Sequence, residues 1–390
     1  MTMDTPDSRD IDHTERIPPE ILAEIFLFTN DAVFTKVAVF TNDAEFTNDA
    51  GVVEPGGPDN PPWLFGQICC RWRAVALSTP ELWCYLTPVV SILQHLPPSA
   101  ILPVLSAYLE RSGQLPLTLT VNGLWPQALI APLLSQSNRW GHVNISSLVL
   151  TKGRAGAHQS ILTTLANSDL TCLQTLRLQT CRGHVQENGS PFSIVLPRLR
   201  SLRASSTTLL KHLSIPHLES LDFRFIGVSE STLDHFRSFL GKCASSLTRL
   251  TLRSNRTPDV DLINFLKILP NLTSLHLHRG ALPGINDILI RGLHSQSTVP
   301  CVVPKLRSLV LRGNVCRSDD DLVDMLRSRC QENQTSCDLL LSVQLYRQRP
   351  FVVQVWKQLM SMSTRGLDVD VFEQKGQEWV RMDHGEGKRR

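Results

Sequence analysis

The sequence predicts an α/β protein in two parts. A short all-α module comes first, and a curved stack of strand–helix units on a parallel sheet follows it. Three observations carry this reading. Apolar residues recur at helical spacing in two stretches between residues 17 and 83, an L-x-x-L-x-L element returns at intervals from residue 144 to residue 311, and helix-like segments separate most of its copies. The composition agrees with a globular chain, since 42% of the 390 residues are hydrophobic and 19% charged.

The first helix starts at Ile17-Pro18-Pro19-Glu20. Proline suits a first turn, where its missing N–H would be unpaired in any case, and Glu20 complements the positive end of the helix dipole. Ile21, Leu22, Ile25 and Phe26 then share one face. A second helix opens at Pro61-Pro62 and runs through Leu64, Phe65, Ile68, Cys69, Trp72, Val75 and Ala76, with Arg71 and Arg73 outside the apolar face. Thr79-Pro80-Glu81 makes a short capped turn into Leu82-Trp83.

Between these helices, residues 28–51 read as four hexads, FTNDAV, FTKVAV, FTNDAE and FTNDAG, followed by a Gly/Pro-rich run. A six-residue period fits neither a helix nor a one-sided strand. The stretch is read as a duplicated insert that lengthens a loop, and a short partner-binding motif repeated for avidity is its competitor.

After residue 86 prolines break up a transitional region, with a helix over 101–110 and an alternating strand over 115–121. A helix over 129–134 and a strand over 145–150 follow. The repeated element appears in LTCLQTLRL (170–178), SSLTRLTL (245–252), LPNLTSLHL (269–277) and VPKLRSLVL (303–311), with weaker copies over 144–150, 196–204 and 215–223 and one more over 340–345. Aligned on one leucine, the copies place Leu148, Leu176, Leu202, Leu221, Leu250, Leu275 and Leu309 in a row, at steps of 28, 26, 19, 29, 25 and 34 residues. Helices are predicted over 160–167, 229–240, 259–269, 285–293 and 318–330. The 34-residue step is expected to carry an extra loop over 295–300, and the 19-residue step to lack a full helix. A last helix over 351–360 and strand over 367–372 close the array. No single strand and helix can bury these leucines, whereas stacked neighbours make a continuous core.

Two resemblances rest on these residues. The order of a proline-led helix, a loop, a helix carrying Arg71-Trp72-Arg73 and then Ser78-Thr79-Pro80, Leu82 and Trp83 resembles an F-box of a layout common in fungal proteins. It covers about the first fifth of the chain. Ile17 stands where that family usually has leucine, and the hexad insert is a larger departure. The 144–373 region resembles an irregular leucine-rich repeat array. The fold class is therefore α/β, an F-box-like all-α module followed by a curved leucine-rich-repeat solenoid with a parallel sheet. The division is 1–15 a disordered tail, 16–86 the module with its insert at 28–62, 87–141 the transitional region, 142–373 the repeats and 374–390 a polar tail.

The resemblance implies a substrate-recruiting subunit of a Skp–cullin–F-box ubiquitin ligase. It places Pro18, Pro19, Glu20, Ile21, Leu22 and Ile25 on the surface that meets the Skp adaptor, while Ile68, Trp72, Leu82 and Trp83 hold the module together or complete that surface. The partners implied are the Skp adaptor, a cullin and a protein client. An F-box protein that pairs with the adaptor but recruits no cullin is the alternative within the binding class. An α/β enzyme with a coincidental leucine pattern is the alternative outside it.

In a strand reading L-x-L the two leucines face the core and the flanking positions face away. One past each aligned leucine stand Arg177, Arg203, Asp222, Thr251, His276 and Val310, and three past stand Gln179, Ser205, Arg224, Arg253, His278 and Arg312. Arg177, Arg203, Arg224, Arg253, His276, His278 and Arg312 are the candidate client-binding residues, suited to an acidic or phosphorylated segment. Arginines splayed into water are the plain competitor. Nucleic acid is not expected as a partner, because the net charge is only +3 and no aromatic platform is evident beside the row.

No nucleotide-binding or nucleophile-elbow motif occurs, so no enzyme is expected. No metal-ligand spacing occurs either, and no cofactor is expected. His276 and His278 are two apart on a strand, with no carboxylate or cysteine between them. The ten cysteines form no C-x-x-C and the opening residues lack a signal-peptide core, so reduced thiols in cytoplasm or nucleus are expected. On the same ground the sequons are set aside, and no membrane partner is expected because no apolar run reaches a membrane span.

Overall fold

The computed structural model of the protein describes residues 16–30, 61–86, 98–122, 127–149, 168–181, 193–205, 207–225, 227–254, 256–279, 285, 287–295, 301–313, 319–330, 337–348, 350–375 and 378–382. The chain divides into two compact units, residues 1–140 and 141–390. The expected tail at 1–15, nearly all of the hexad insert, the helix over 160–167 and the loop over 296–300 lie outside the described residues.

The first unit is built on aromatic rings. Helix α1 spans 19–30, α2 Phe65–Ile68 and α3 Cys70–Leu77. Where one continuous helix was expected, the backbone breaks at Cys69 into an extended conformation. The Cys69 thiol then caps α3 by accepting from Trp72 N–H at 3.4 Å. The break turns Trp72 onto Phe26 (ring centroids 4.9 Å), and Phe26 stacks on Phe65 at 4.1 Å. A 3-10 turn, Pro80–Trp83, buries Leu82 and Trp83. The Trp83 indole N–H donates to the Ala76 carbonyl at 2.8 Å, and the ring packs on Trp63, Tyr108 and the Arg111 guanidinium. Tyr108 and Arg111 belong to α4, Pro98–Arg111. Strand β1, Leu117–Asn122, pairs in parallel with Tyr85, and helix α5 spans Gln127–Leu134.

The second unit is a mixed α/β structure on a mostly parallel sheet. Its strands are β2 (Trp140–Val149, its first residue in the first unit), β3 (Thr175–Cys181), β5 (Ser201–Ala204), β7 (Ser220–Arg224), β8 (Arg249–Arg253), β9 (Ser274–His278), β10 (Ser308–Arg312), β11 (Ser342–Arg347), β12 (Asp368–Lys375) and β13 (Glu378–Arg381). They neighbour one another in that order, parallel throughout except for the antiparallel pair β12–β13. A separate parallel pair joins β4 (Ile194–Val195) to β6 (Leu213–Ser214). The helices are α6 (Thr207–Leu210), α7 (Glu230–Cys243), α8 (Asp259–Lys267), α9 (Asp287–Leu293), α10 (Asp319–Arg329) and α11 (Val353–Ser363), each packed on the next. The 19-residue step holds only the single turn α6, as expected. Among the described residues no sheet closes into a barrel.

The leucine pattern explains this order. Leu247, Leu250 and Leu252 are buried, as are Leu272, Leu275 and Leu277 and then Leu306, Leu309 and Leu311. The strand register aligns Leu176, Leu202, Leu221, Leu250, Leu275, Leu309, Val343 and Val369. From β5 to β11 the strands of this sheet are entered by the same joint, in which one carbonyl accepts two successive N–H groups of the next unit. Glu219 O takes Thr248 and Arg249, Thr248 O takes Thr273 and Ser274, and Thr273 O takes Arg307 and Ser308. Burying one leucine contributes about 1.5–3 kcal/mol, so the row dominates the unit's stability.

Three expectations are corrected. The partner of Leu176 on β2 is Val143, not Leu148, because β2 begins at Trp140, ahead of the strand expected over 145–150. Residues 378–381 of the expected polar tail form β13, which pairs through alternating Trp379 and Arg381. Cys301 and Cys337 are joined in a disulfide, where reduced thiols were expected; the two residues bring together the approaches to β10 and β11.

Candidate functional site

Two surfaces carry the residues singled out in the sequence, and each is built differently.

On α1 two apolar stripes run side by side. Leu22 and Phe26, four apart, are buried against Phe65 and Trp72. Ile21, Ile25 and Phe28 lie on the neighbouring stripe at 52%, 44% and 78% exposure, with Pro18, Pro19 and Glu20 exposed at its start. Arg71 donates to the Ile17 carbonyl and fixes where the helix begins. Leu22 is therefore a core residue and not part of the outer surface on which the resemblance placed it. A 3.6-residue period lets both stripes fall within the same apolar run, and only the packing tells them apart. Trp72, Leu82 and Trp83 hold the unit together, whereas Ile68 is 52% exposed and holds nothing inside.

In the second unit Phe223 and Phe225 pack on Phe236 of α7, so the leucine side of the sheet faces the helices. Alternation puts Arg203, Asp222, Thr251 and His276 on the opposite side, together with Arg224, Arg253, His278 and Arg312. The expected lateral row exists, because Arg224 partners Arg253, Arg253 partners His278 and His278 partners Arg312. It is held from behind by backbone hydrogen bonds: Ser254 N–H donates to His278 O at 3.0 Å and Arg279 N–H to Arg312 O at 2.8 Å.

The row is not a set of bare cations. Asp222 lies between two of the arginines, with Arg203 Nε at 3.1 Å and Arg253 Nε at 3.2 Å. Burial lowers the Arg177 guanidinium, and Asp222 opposes the shift. Burial lowers His278 to about 4, helped by the neighbouring Arg253 and Arg312, and burial likewise lowers His276. Both shifts favour the neutral imidazole. Among the described residues no group of three or more His, Cys, Asp or Glu side chains is arranged to hold a metal ion. Arg224, at the exposed end of β7, is the most open member of the row.

The row continues where the sequence analysis saw no aromatic platform. Tyr346 is the register partner of Arg312, and Phe372 that of Tyr346. The two rings stack at 4.4 Å, Trp379 of β13 meets Tyr346 edge-on at 5.4 Å, and the Arg312 guanidinium lies 5.5 Å from both Tyr346 and Trp379. The platform was missed because β13 was taken for a tail and the 340–345 copy was not counted into the row. Tyr346 lies three past Val343, so the same count would have found it.

Burial pushes the thiols of Cys84 and Cys243 up to about 11 and about 12, which makes neither a nucleophile. Among the described residues no helix is long and apolar enough to cross a membrane. The sequence matches no protein-family model, and no curated protein matches it as a relative.

Proposed function

We propose that the protein is the substrate-recruiting subunit of a Skp–cullin–F-box ubiquitin ligase, with residues 16–86 as an F-box and the second unit as a curved leucine-rich-repeat solenoid that presents a client. The observation that most supports the reading is the second stripe on α1. Ile21, Ile25 and Phe28 have no interior to fill, and an exposed aliphatic row beside exposed Pro18, Pro19 and Glu20 is the kind of surface a helical adaptor covers. The stacked strands support the second half, since the units from β5 to β11 repeat one joint and one set of buried leucines. The client binds the face that carries Arg177, Arg203, Arg224, Arg253, His276, His278 and Arg312, through acidic or phosphorylated groups.

Such a subunit makes and breaks no bonds. It raises the effective concentration of a client near a ubiquitin-charged enzyme held by other subunits. The test is co-purification of the tagged full chain from cells. Recovery of both Skp adaptor and cullin is the expected result, recovery of adaptor alone excludes the cullin ligase, and recovery of neither overturns the proposal. Ile21→Asp with Ile25→Asp should release the adaptor, whereas Arg224→Ser, Arg253→Ser and Arg312→Ser together should release the client and keep the adaptor.

A further inference from the structure

The client-facing side of the sheet changes character along its length. From β7 to β10 the outer row is Arg224, Arg253, His278 and Arg312, and from β11 to β13 it is Tyr346, Phe372 and Arg381, with Trp379, two residues before Arg381, turned onto Tyr346. Asp222 partly neutralises one side of the basic end, through Arg203 and Arg253. Arg224 and Arg312 form no ion pair with it. Arg381, further along β13, is taken up by Asp370.

We propose that this face reads a two-part protein segment, in which a run of acidic residues lies on the arginine row and an aromatic side chain docks at the corner of Arg312, Tyr346 and Trp379. This rests on the client-binding reading above and narrows it. Charge complementarity fixes the first part, because among the described residues Asp222 answers only Arg203 and Arg253, and the exposed Arg224 calls for a carboxylate or phosphate. Ring geometry fixes the second. Trp379 stands edge-on to Tyr346 with an interplanar angle of 82°, and aromatic pairs favour such arrangements, so a further ring beside Tyr346, Phe372 and Trp379 extends the cluster next to the Arg312 guanidinium.

Two other occupants fit less well. A cationic side chain would meet Arg312, which already fills the cation position over both rings. A nucleic acid base needs an open ring face, and the facing sides of Tyr346 and Phe372 are closed against each other with an interplanar angle of 5°.

Strand spacing sets the length of the segment. Arg224 and Arg312 are three strands apart, about 14 Å at about 4.8 Å per strand, which an extended chain crosses in about four residues. The ring corner lies one to three strands further, so the aromatic residue falls about two to four positions from the acidic run.

The test uses the full chain and fluorescently labelled synthetic peptides, read by anisotropy. The probe carries a central tryptophan with a glycine pair and then a glutamate run on each side, so that either chain direction can be used. Controls replace the tryptophan by alanine or the glutamates by lysine, and a single-stranded oligouridylate is run beside them. The tryptophan peptide should bind about tenfold or more tightly than its alanine version. The difference should vanish in Tyr346→Ser/Trp379→Ser, with the alanine peptide unaffected and the far-ultraviolet circular dichroism unchanged. Equal binding of the tryptophan and alanine peptides to the wild-type chain, both above the lysine peptide, overturns the two-part reading and leaves the client face standing. Glutamate peptides that bind no better than the lysine peptide overturn both, and tighter binding of the oligouridylate overturns the protein segment as occupant. The wild-type comparison needs no variant to fold.

Discussion

The first unit and the second unit treat their apolar residues in opposite ways. In the second, the leucines repeated along the sheet go inside, and the charged residues that alternate with them find partners or stay on one face. On α1 the apolar run is split, with Leu22 and Phe26 inside and Ile21, Ile25 and Phe28 outside. A sheet backed by helices has room to bury its aligned leucines, whereas a short helix on the rings of Phe65 and Trp72 buries only one stripe. Among the described residues the surplus on α1 is thus a row of three exposed apolar side chains along one helix face.

The sharpest way to break this contrast is to hollow each interior in turn. Phe236→Ala removes the ring on which Phe223, Phe225 and Phe265 pack, and should destabilise the second unit by about 3–5 kcal/mol in urea unfolding. Phe26→Ala should act on the first unit alike, while Ile25→Asp should change stability by no more than about 0.5 kcal/mol. An Ile25→Asp loss as large as that of Phe26→Ala would show that both stripes are interior.

Gly313→Ala comes next. Gly313 has φ of +129°, and a Cβ there would run into the carbonyl of Arg279, so a loss of about 2 kcal/mol is expected in the same assay. No change would mean that β10 and its exit turn are not held as described.

The charged face makes a pH prediction. His278 is lowered to about 4 in the fold against an ordinary 6.5, so the unfolded chain takes up a proton first as pH falls. The contribution is full above pH 6.5 and is lost progressively between there and about 4, at no more than about 1.4 kcal/mol per pH unit for one proton. His278→Gln should flatten that part of the stability-versus-pH curve, and an identical slope in the variant would place the titrating group elsewhere. The smallest effect is expected at the exposed Arg307–Asp338 pair, where Arg307→Ala should cost less than about 1 kcal/mol and still less in high salt.

Much of the second unit was legible because its period is redundant. Six copies of one pattern set the row from Leu176 to Leu309, and a two-residue alternation left no freedom about which side Arg253 and His278 occupy. Leu148 was misplaced because β2 starts at Trp140, ahead of the strand predicted over 145–150, and Val143 takes the position opposite Leu176. The site was only half legible. Charges could be placed by counting, but not the ion pairs that Asp222 makes across strands, nor the meeting of Tyr346, Phe372 and Trp379 from three strands. On α1 the pattern named the apolar residues and could not divide them, because spacings of three and four describe two adjacent stripes equally well.

Direct binding of the purified full chain to purified Skp adaptor, by calorimetry, tests the central claim. The proposal predicts a complex with the wild-type chain that is lost in Ile21→Asp/Ile25→Asp, whose unfolding midpoint matches the wild type. No complex with the wild-type chain, or one that the two substitutions leave intact, would contradict it.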